Sequence, residues 1–83
     1  VKVKRIDLDD EEMPETVLVE LSHDEAAYLA LLLSRQNGAS AEQVAPGGSR
    51  LSSAVYEGLT GGLFNRFYED GADGALAAMR GER

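Results

Sequence analysis

Thr16-Val17-Leu18-Val19-Glu20-Leu21-Ser22-His23-Asp24-Glu25-Ala26-Ala27-Tyr28-Leu29-Ala30-Leu31-Leu32-Leu33 passes from a strand pattern to a helix pattern within one residue. Thr16 to Leu21 is rich in β-branched and aliphatic residues and reads as a strand. Ser22 with Glu25 three positions on has capping-box spacing, and Asp24 and Glu25 put negative charge at the amino end of the helix dipole. Leu21, just before the cap, is placed to staple onto Ala26 or its neighbours. From Ala26 the chain runs through eight apolar residues to Leu33. A helix that is apolar on every side has to be covered on every side, and a short chain has little material for that. The passage therefore sets architecture and points to assembly.

Upstream, Val1-Lys2-Val3-Lys4 alternates, and Arg5-Ile6-Asp7-Leu8 alternates in the opposite phase. A bulge near Lys4-Arg5 restores one apolar face holding Val1, Val3, Ile6 and Leu8. Asp9-Asp10-Glu11-Glu12-Met13-Pro14 is an acidic connection whose proline is expected to end pairing, and a second strand follows from about Glu15 to Leu21. Downstream, the first helix is expected to reach Gln36, with Asn37-Gly38 as a left-handed stop. Ser40-Ala41-Glu42-Gln43 suggests one helical turn before Pro46, and Pro46-Gly47-Gly48-Ser49 is a breaker. Ser49 can cap a helix from Arg50 to about Asp70, whose Leu51, Val55, Leu59, Leu63 and Phe67 fall on one core-facing stripe. Glycines 58, 61 and 62 weaken it, so a kink or break is expected at Thr60-Gly61-Gly62. Asp70-Gly71 ends that helix, and a short terminal helix is expected around Ala75 to Arg80.

The fold expected is α+β, a single domain over residues 1–83. An antiparallel hairpin (about 1–21) precedes two main helices and a short C-terminal helix (about 22–80). At 83 residues with 43% hydrophobic residues, a core is available. The absence of cysteine removes disulfides, thiolate nucleophiles and zinc–thiolate sites. No apolar run approaches the ~20 residues that span a bilayer, and Lys2, Lys4 and Arg5 lead into alternation instead of an apolar leader. A cytoplasmic protein without membrane association is expected.

Fifteen acids against eight bases give a net charge of −7, which argues against direct nucleic-acid binding through the general field. Ser22-His23-Asp24 contains the residue types of a hydrolase triad, but neighbours opening a helix fan out around its axis and are not expected to form that relay. Asp7, Asp9 and Glu11 begin with calcium-loop spacing. The pattern then fails, with Glu12 where glycine is needed and Leu18 where the bidentate glutamate belongs. Neither Gly47-Gly48-Ser49 nor Gly58-Leu59-Thr60-Gly61-Gly62 forms a phosphate cradle. Phe64, Phe67 and Tyr68 read as core aromatics beside an exposed Arg66. No enzyme, cofactor or metal is expected.

The phrase Thr16 to Ala26 resembles one common in small orphan proteins of actinobacteria and their bacteriophages, as does the cysteine-free, lysine-poor composition. That resemblance implies a small cytoplasmic accessory protein that binds another protein of host or phage. The residues themselves favour a non-enzymatic interaction module that is a homodimer. Its candidate interface residues are Tyr28, Leu31, Leu32 and Leu33, together with Gly58 and Gly62, whose spacing lets a second helix come close. The alternative is an acidic DNA mimic, or decoy, that occupies a nucleic-acid-binding partner through Asp7, Asp9, Asp10, Glu11 and Glu12.

Overall fold

Two strands, β1 (Lys2–Leu8) and β2 (Pro14–Glu20), pair antiparallel in a computed structural model that describes residues 1–81. Val3 lies opposite Val19, Arg5 opposite Leu18 and Ile6 opposite Val17, so Lys4 is the extra residue of a bulge. Opposed residues share a face, and the bulge brings Val3, Ile6, Leu8, Val17 and Val19 to the same side. The phase break in the sequence is therefore resolved as expected. A second irregularity skips Glu15 and sets Leu8 opposite Pro14. Pro14 thus opens β2 instead of ending the pairing, a first-strand position where its missing N–H costs nothing. At the tip Asp9 Oδ1 accepts from the Glu11 and Met13 amides at 2.8 and 3.1 Å, and Glu12 adopts a left-handed φ of 63°.

The helical body contains α1 (His23–Ser34), α2 (Gly38–Val44), α3 (Gly48–Leu59), a π-helical turn (Thr60–Phe64), α4 (Asn65–Phe67) and α5 (Ala72–Met79). The capping box of α1 is complete: Ser22 Oγ accepts from the Glu25 amide at 3.1 Å, and Glu25 Oε1 accepts from the Ser22 amide at 2.9 Å. The Val1 amino group also contacts the Glu25 carboxylate. Donation from that amino group, then from the Ser22 amide and hydroxyl, lowers the Glu25 pKa from 4.5 to about 2.

Beyond α1 several expectations are corrected. Asn37-Gly38 is not a left-handed stop. The Asn37 backbone is extended, and its side chain caps α2 by accepting from the Ser40 amide at 2.8 Å. Ser40 Oγ in turn accepts from the Asn37 amide at 2.9 Å, and the helical turn expected at Ser40–Gln43 is present and extends over Gly38–Val44. Ser49 does not cap α3, because Glu42 reaches across from α2 and accepts from the Gly47 and Ser49 amides at 3.1 and 2.6 Å. This cap draws α2 against α3 so closely that a Cβ at Gly48 would stand 1.9 Å from the Ala41 carbonyl oxygen. The long helix widens at the glycines into the π turn without breaking, and it ends at Phe67, three residues early, where Tyr68 becomes extended. The last helix starts at Ala72, ahead of the expected Ala75.

The core is narrow. Phe64 is fully buried among Ala26, Ala27, Ala30, Ala72 and Ala75, with Leu21, Leu31, Tyr56, Leu59, Leu63 and Tyr68 packed around them. Leu21 thus serves as the expected staple. The stripe on α3 is not core-facing throughout, since Leu51, Val55 and Phe67 remain 50%, 44% and 70% exposed. Helix α1 turns its alanines inward, and α3 contacts it mainly through Tyr56 and Leu59, so the outer stripe has nothing to cover it.

Replacing Phe64 by alanine is expected to remove about 3–5 kcal/mol, enough to unfold most of the body, as urea denaturation followed by circular dichroism will show. Because the Glu25 pKa is depressed in the fold, its contribution is present above pH 4.5 and is lost as the pH falls through about 2. Glu25→Gln should therefore be less stable than the parent at neutral pH, and the two should converge on titration to the acid end.

Candidate functional site

No residue of the hairpin is buried. Its apolar face presents Val3, Ile6, Leu8, Val17 and Val19, each 43% to 55% exposed, and no helix covers it. The sheet therefore does not shield α1. The connection at Leu21-Ser22 carries the hairpin away from the body, and the molecule extends over 49 × 31 × 18 Å. Its radius of gyration is 14.7 Å, against about 12 Å for a compact chain of this length. Apart from Leu18, which lies opposite Arg5, the other hairpin face is polar. There Lys4 pairs with Glu20 at 3.7 Å, Arg5 with Asp7 at 3.3 Å, and Thr16 donates to Asp7 at 2.9 Å.

A second apolar surface lies on the helices. Leu29, Leu33, Ala41, Val44, Leu51 and Val55 line an open cleft of about 330 Å³ between α1, α2 and α3. Sequence periodicity identified Leu51 and Val55 but assigned them to the core, and Leu29 and Val44 carried no separate signal. Of the expected interface residues, Tyr28 and Leu32 are exposed at 61% and 48% on the outer side of α1. Leu31 is half-buried on the core and Leu33 half-buried in the cleft. Gly58 and Gly62 have open space where a side chain would stand, so no helix of the same chain approaches them. The structure therefore does not gather the six into one patch.

The acidic residues divide similarly. Asp9 holds its own turn and Asp7 sits beside Arg5 and Thr16. Asp10, Glu11 and Glu12 stand exposed at the hairpin tip. Among the described residues no group of three His, Cys, Asp or Glu side chains is arranged to hold a metal ion.

One polar chain departs from expectation. His23 Nδ1 lies 2.8 Å from Asp24 Oδ1, and His23 Nε2 lies 2.6 Å from the Tyr68 hydroxyl. A carboxylate can only accept, so Nδ1–H donates to Asp24 and Nε2 accepts from Tyr68. Adjacent residues thus do meet, because the imidazole folds back along the first turn. The hydroxyl completing the chain belongs to Tyr68, 45 positions away, and not to Ser22. The ring also meets Phe64 edge-on at 6.1 Å. The geometry ties the start of α1 to the segment following α4. Carboxylate, imidazole and hydroxyl stand in the order of a relay, with a phenol in the hydroxyl position. Phe67 is not a core aromatic: it lies outside with the Arg66 guanidinium 5.6 Å from its ring centre.

A polar cleft of about 430 Å³ is lined by Tyr56, Thr60, Asn65, Asp70 and Asp73, with no base among its walls. No described helix is long and apolar enough to cross a membrane. In comparison with known proteins, no family model matches the chain, and neither a curated protein nor a solved structure does.

Tyr68→Phe removes the donor to His23 and is expected to cost about 1 kcal/mol, measurable as a lowered denaturation midpoint. Under a structural role, His23→Gln, which keeps an acceptor, should lose less than His23→Ala.

Proposed function

We propose that this chain is a non-enzymatic protein-interaction module that works as a homodimer, in the role of a small accessory or regulatory protein. The observation that carries the reading is surface area. The chain exposes 6331 Å², whereas a compact monomer of 8.9 kDa exposes about 4,800 Å². The excess of about 1,500 Å² per chain, or about 3,000 Å² for a pair, lies within the range of obligate homodimer interfaces. The uncovered side chains are of the kind such interfaces bury: aliphatic residues on one hairpin face and in the helical cleft. A small accessory role also agrees with the orphan-protein phrase of Thr16 to Ala26.

The alternative, an acidic decoy of a nucleic-acid-binding partner, draws on Asp10, Glu11 and Glu12. Among the described residues these make no ion pair at the tip. Its signature is binding to a basic partner that falls steeply with salt.

Light scattering on a sizing column should give twice the chain mass, and the urea midpoint should rise with protein concentration, as mass action requires of a folded dimer. A single-chain mass with a concentration-independent midpoint would refute the homodimer.

A further inference from the structure

We propose that two copies join through β2, antiparallel about a twofold axis at Leu18, to form a four-stranded sheet ordered β1-β2-β2′-β1′. This deepens the homodimer reading and rests on it. An isolated two-stranded hairpin is marginal in water, and three or more strands or a packed helix are needed to stabilise one. This hairpin has neither within its own chain. The partner that supplies further strands is a second copy, because the uncharged, unbulged Thr16–Val19 edge of β2 is complementary to itself about Leu18.

The two edges are not equivalent. Along β1 stand Lys2, Lys4 and Arg5, with the bulge at Lys4. Charged residues and bulges are the devices that block edge pairing. Self-pairing of β1 that keeps its apolar face on one side sets Val3 opposite Ile6 of the second copy, and it crowds Lys4 and Arg5 of both chains at the axis. Along β2 the run Thr16-Val17-Leu18-Val19 carries no charge and no bulge. Centring the axis on Leu18 sets Val17 opposite Val19, Leu18 opposite itself and Thr16 opposite Glu20. Glu20 already has Lys4 of its own hairpin at 3.7 Å, so no acid meets an acid. A twofold axis perpendicular to the sheet also keeps Val3, Ile6, Val17 and Val19 of both copies on one side, doubling the apolar face.

The test uses the absence of native cysteine. Leu18→Cys and Arg5→Cys place thiols directly opposite each other in the hairpin, on the same face but on different edges. In the proposed sheet the two Leu18 Cα atoms stand about 4.5–5.5 Å apart, within disulfide reach. The two Arg5 Cα atoms are three strand spacings apart, about 14 Å, beyond that reach. Mild oxidation followed by non-reducing gels should give covalent dimer for Leu18→Cys and little for Arg5→Cys. Leu18→Lys, at a position already 53% exposed, should keep the helical circular dichroism of the parent's body and shift its mass to a single chain. Preferential crosslinking at Arg5 would assign the pairing to β1 and overturn the proposal. A protein of dimer mass in which neither thiol crosslinks and Leu18→Lys stays dimeric would overturn it while leaving the homodimer intact. A single-chain mass for the parent removes both.

Discussion

Phe64 enters a pocket walled by alanines because the helix carrying it is widened over Thr60–Phe64, and the rest of the body is arranged around that insertion. Gly61 and Gly62 lower the cost of leaving α-geometry. The Thr60 hydroxyl donates to the Tyr56 carbonyl at 2.9 Å, engaging an acceptor where the ladder loosens. The inward faces of α1 and α5 are alanine, which lets the helices approach and leaves a hole the size of one aromatic ring. The edge of the His23 imidazole then closes the ring's outer side and links it to Asp24 and Tyr68. Fully burying one phenylalanine is worth about 1.5–3 kcal/mol, and the alanines add little each. Such a core holds the helices in place without absorbing the larger aliphatic side chains.

That constraint explains which parts of the fold were legible in the sequence. The capping box at Ser22, the strand before it and the bulge at Lys4 depend on residues a few positions apart, and local chemistry specifies them. The π turn was visible as an expected interruption at Thr60-Gly61-Gly62, although its form depends on Phe64 finding its pocket. Helix caps supplied from a distance were not legible. Glu42 caps α3 from α2, and Asn37, read as a terminator, is an initiator because the first helix ends at Ser34, three residues before it. Apolar periodicity located the stripe on α3 but could not say that α1 would meet that helix through alanines and Tyr56, leaving Leu51 and Val55 outside. The partnership of His23 with Tyr68 had no sequence signal, since nothing local relates positions 45 apart.

The hairpin poses the complementary case. Its two faces were readable from alternation, but alternation does not say what the apolar face packs against. Of the eight apolar residues from Ala26 to Leu33, the alanines are covered by Phe64 and α5. The surfaces left in need of cover are the hairpin face, the cleft between α1, α2 and α3, and the outer Tyr28 and Leu32. A strand pair that buries nothing gains only its ladder hydrogen bonds and cross-strand contacts, each worth a fraction of a kcal/mol to about 1 kcal/mol. Against this stands a backbone ordering cost of about 1–2 kcal/mol per residue. Left alone, the arm fluctuates or pairs.

Edge chemistry then separates the two ways it can pair. A sheet edge offers the same unpaired amides and carbonyls whatever its side chains, so selectivity has to come from charge and bulges. Here all three hairpin bases lie on β1, while four acids, Asp9, Asp10, Glu11 and Glu12, gather at the tip beyond the ladder. The charge distribution of a strongly acidic chain would suggest general self-repulsion, but its effect is positional. The tips repel one another, disfavouring arrangements that bring them side by side, and an antiparallel alignment about the middle of β2 sends them to opposite ends. The same acidic residues that support a decoy reading would thus also act, in the proposed dimer, as a constraint on direction and register.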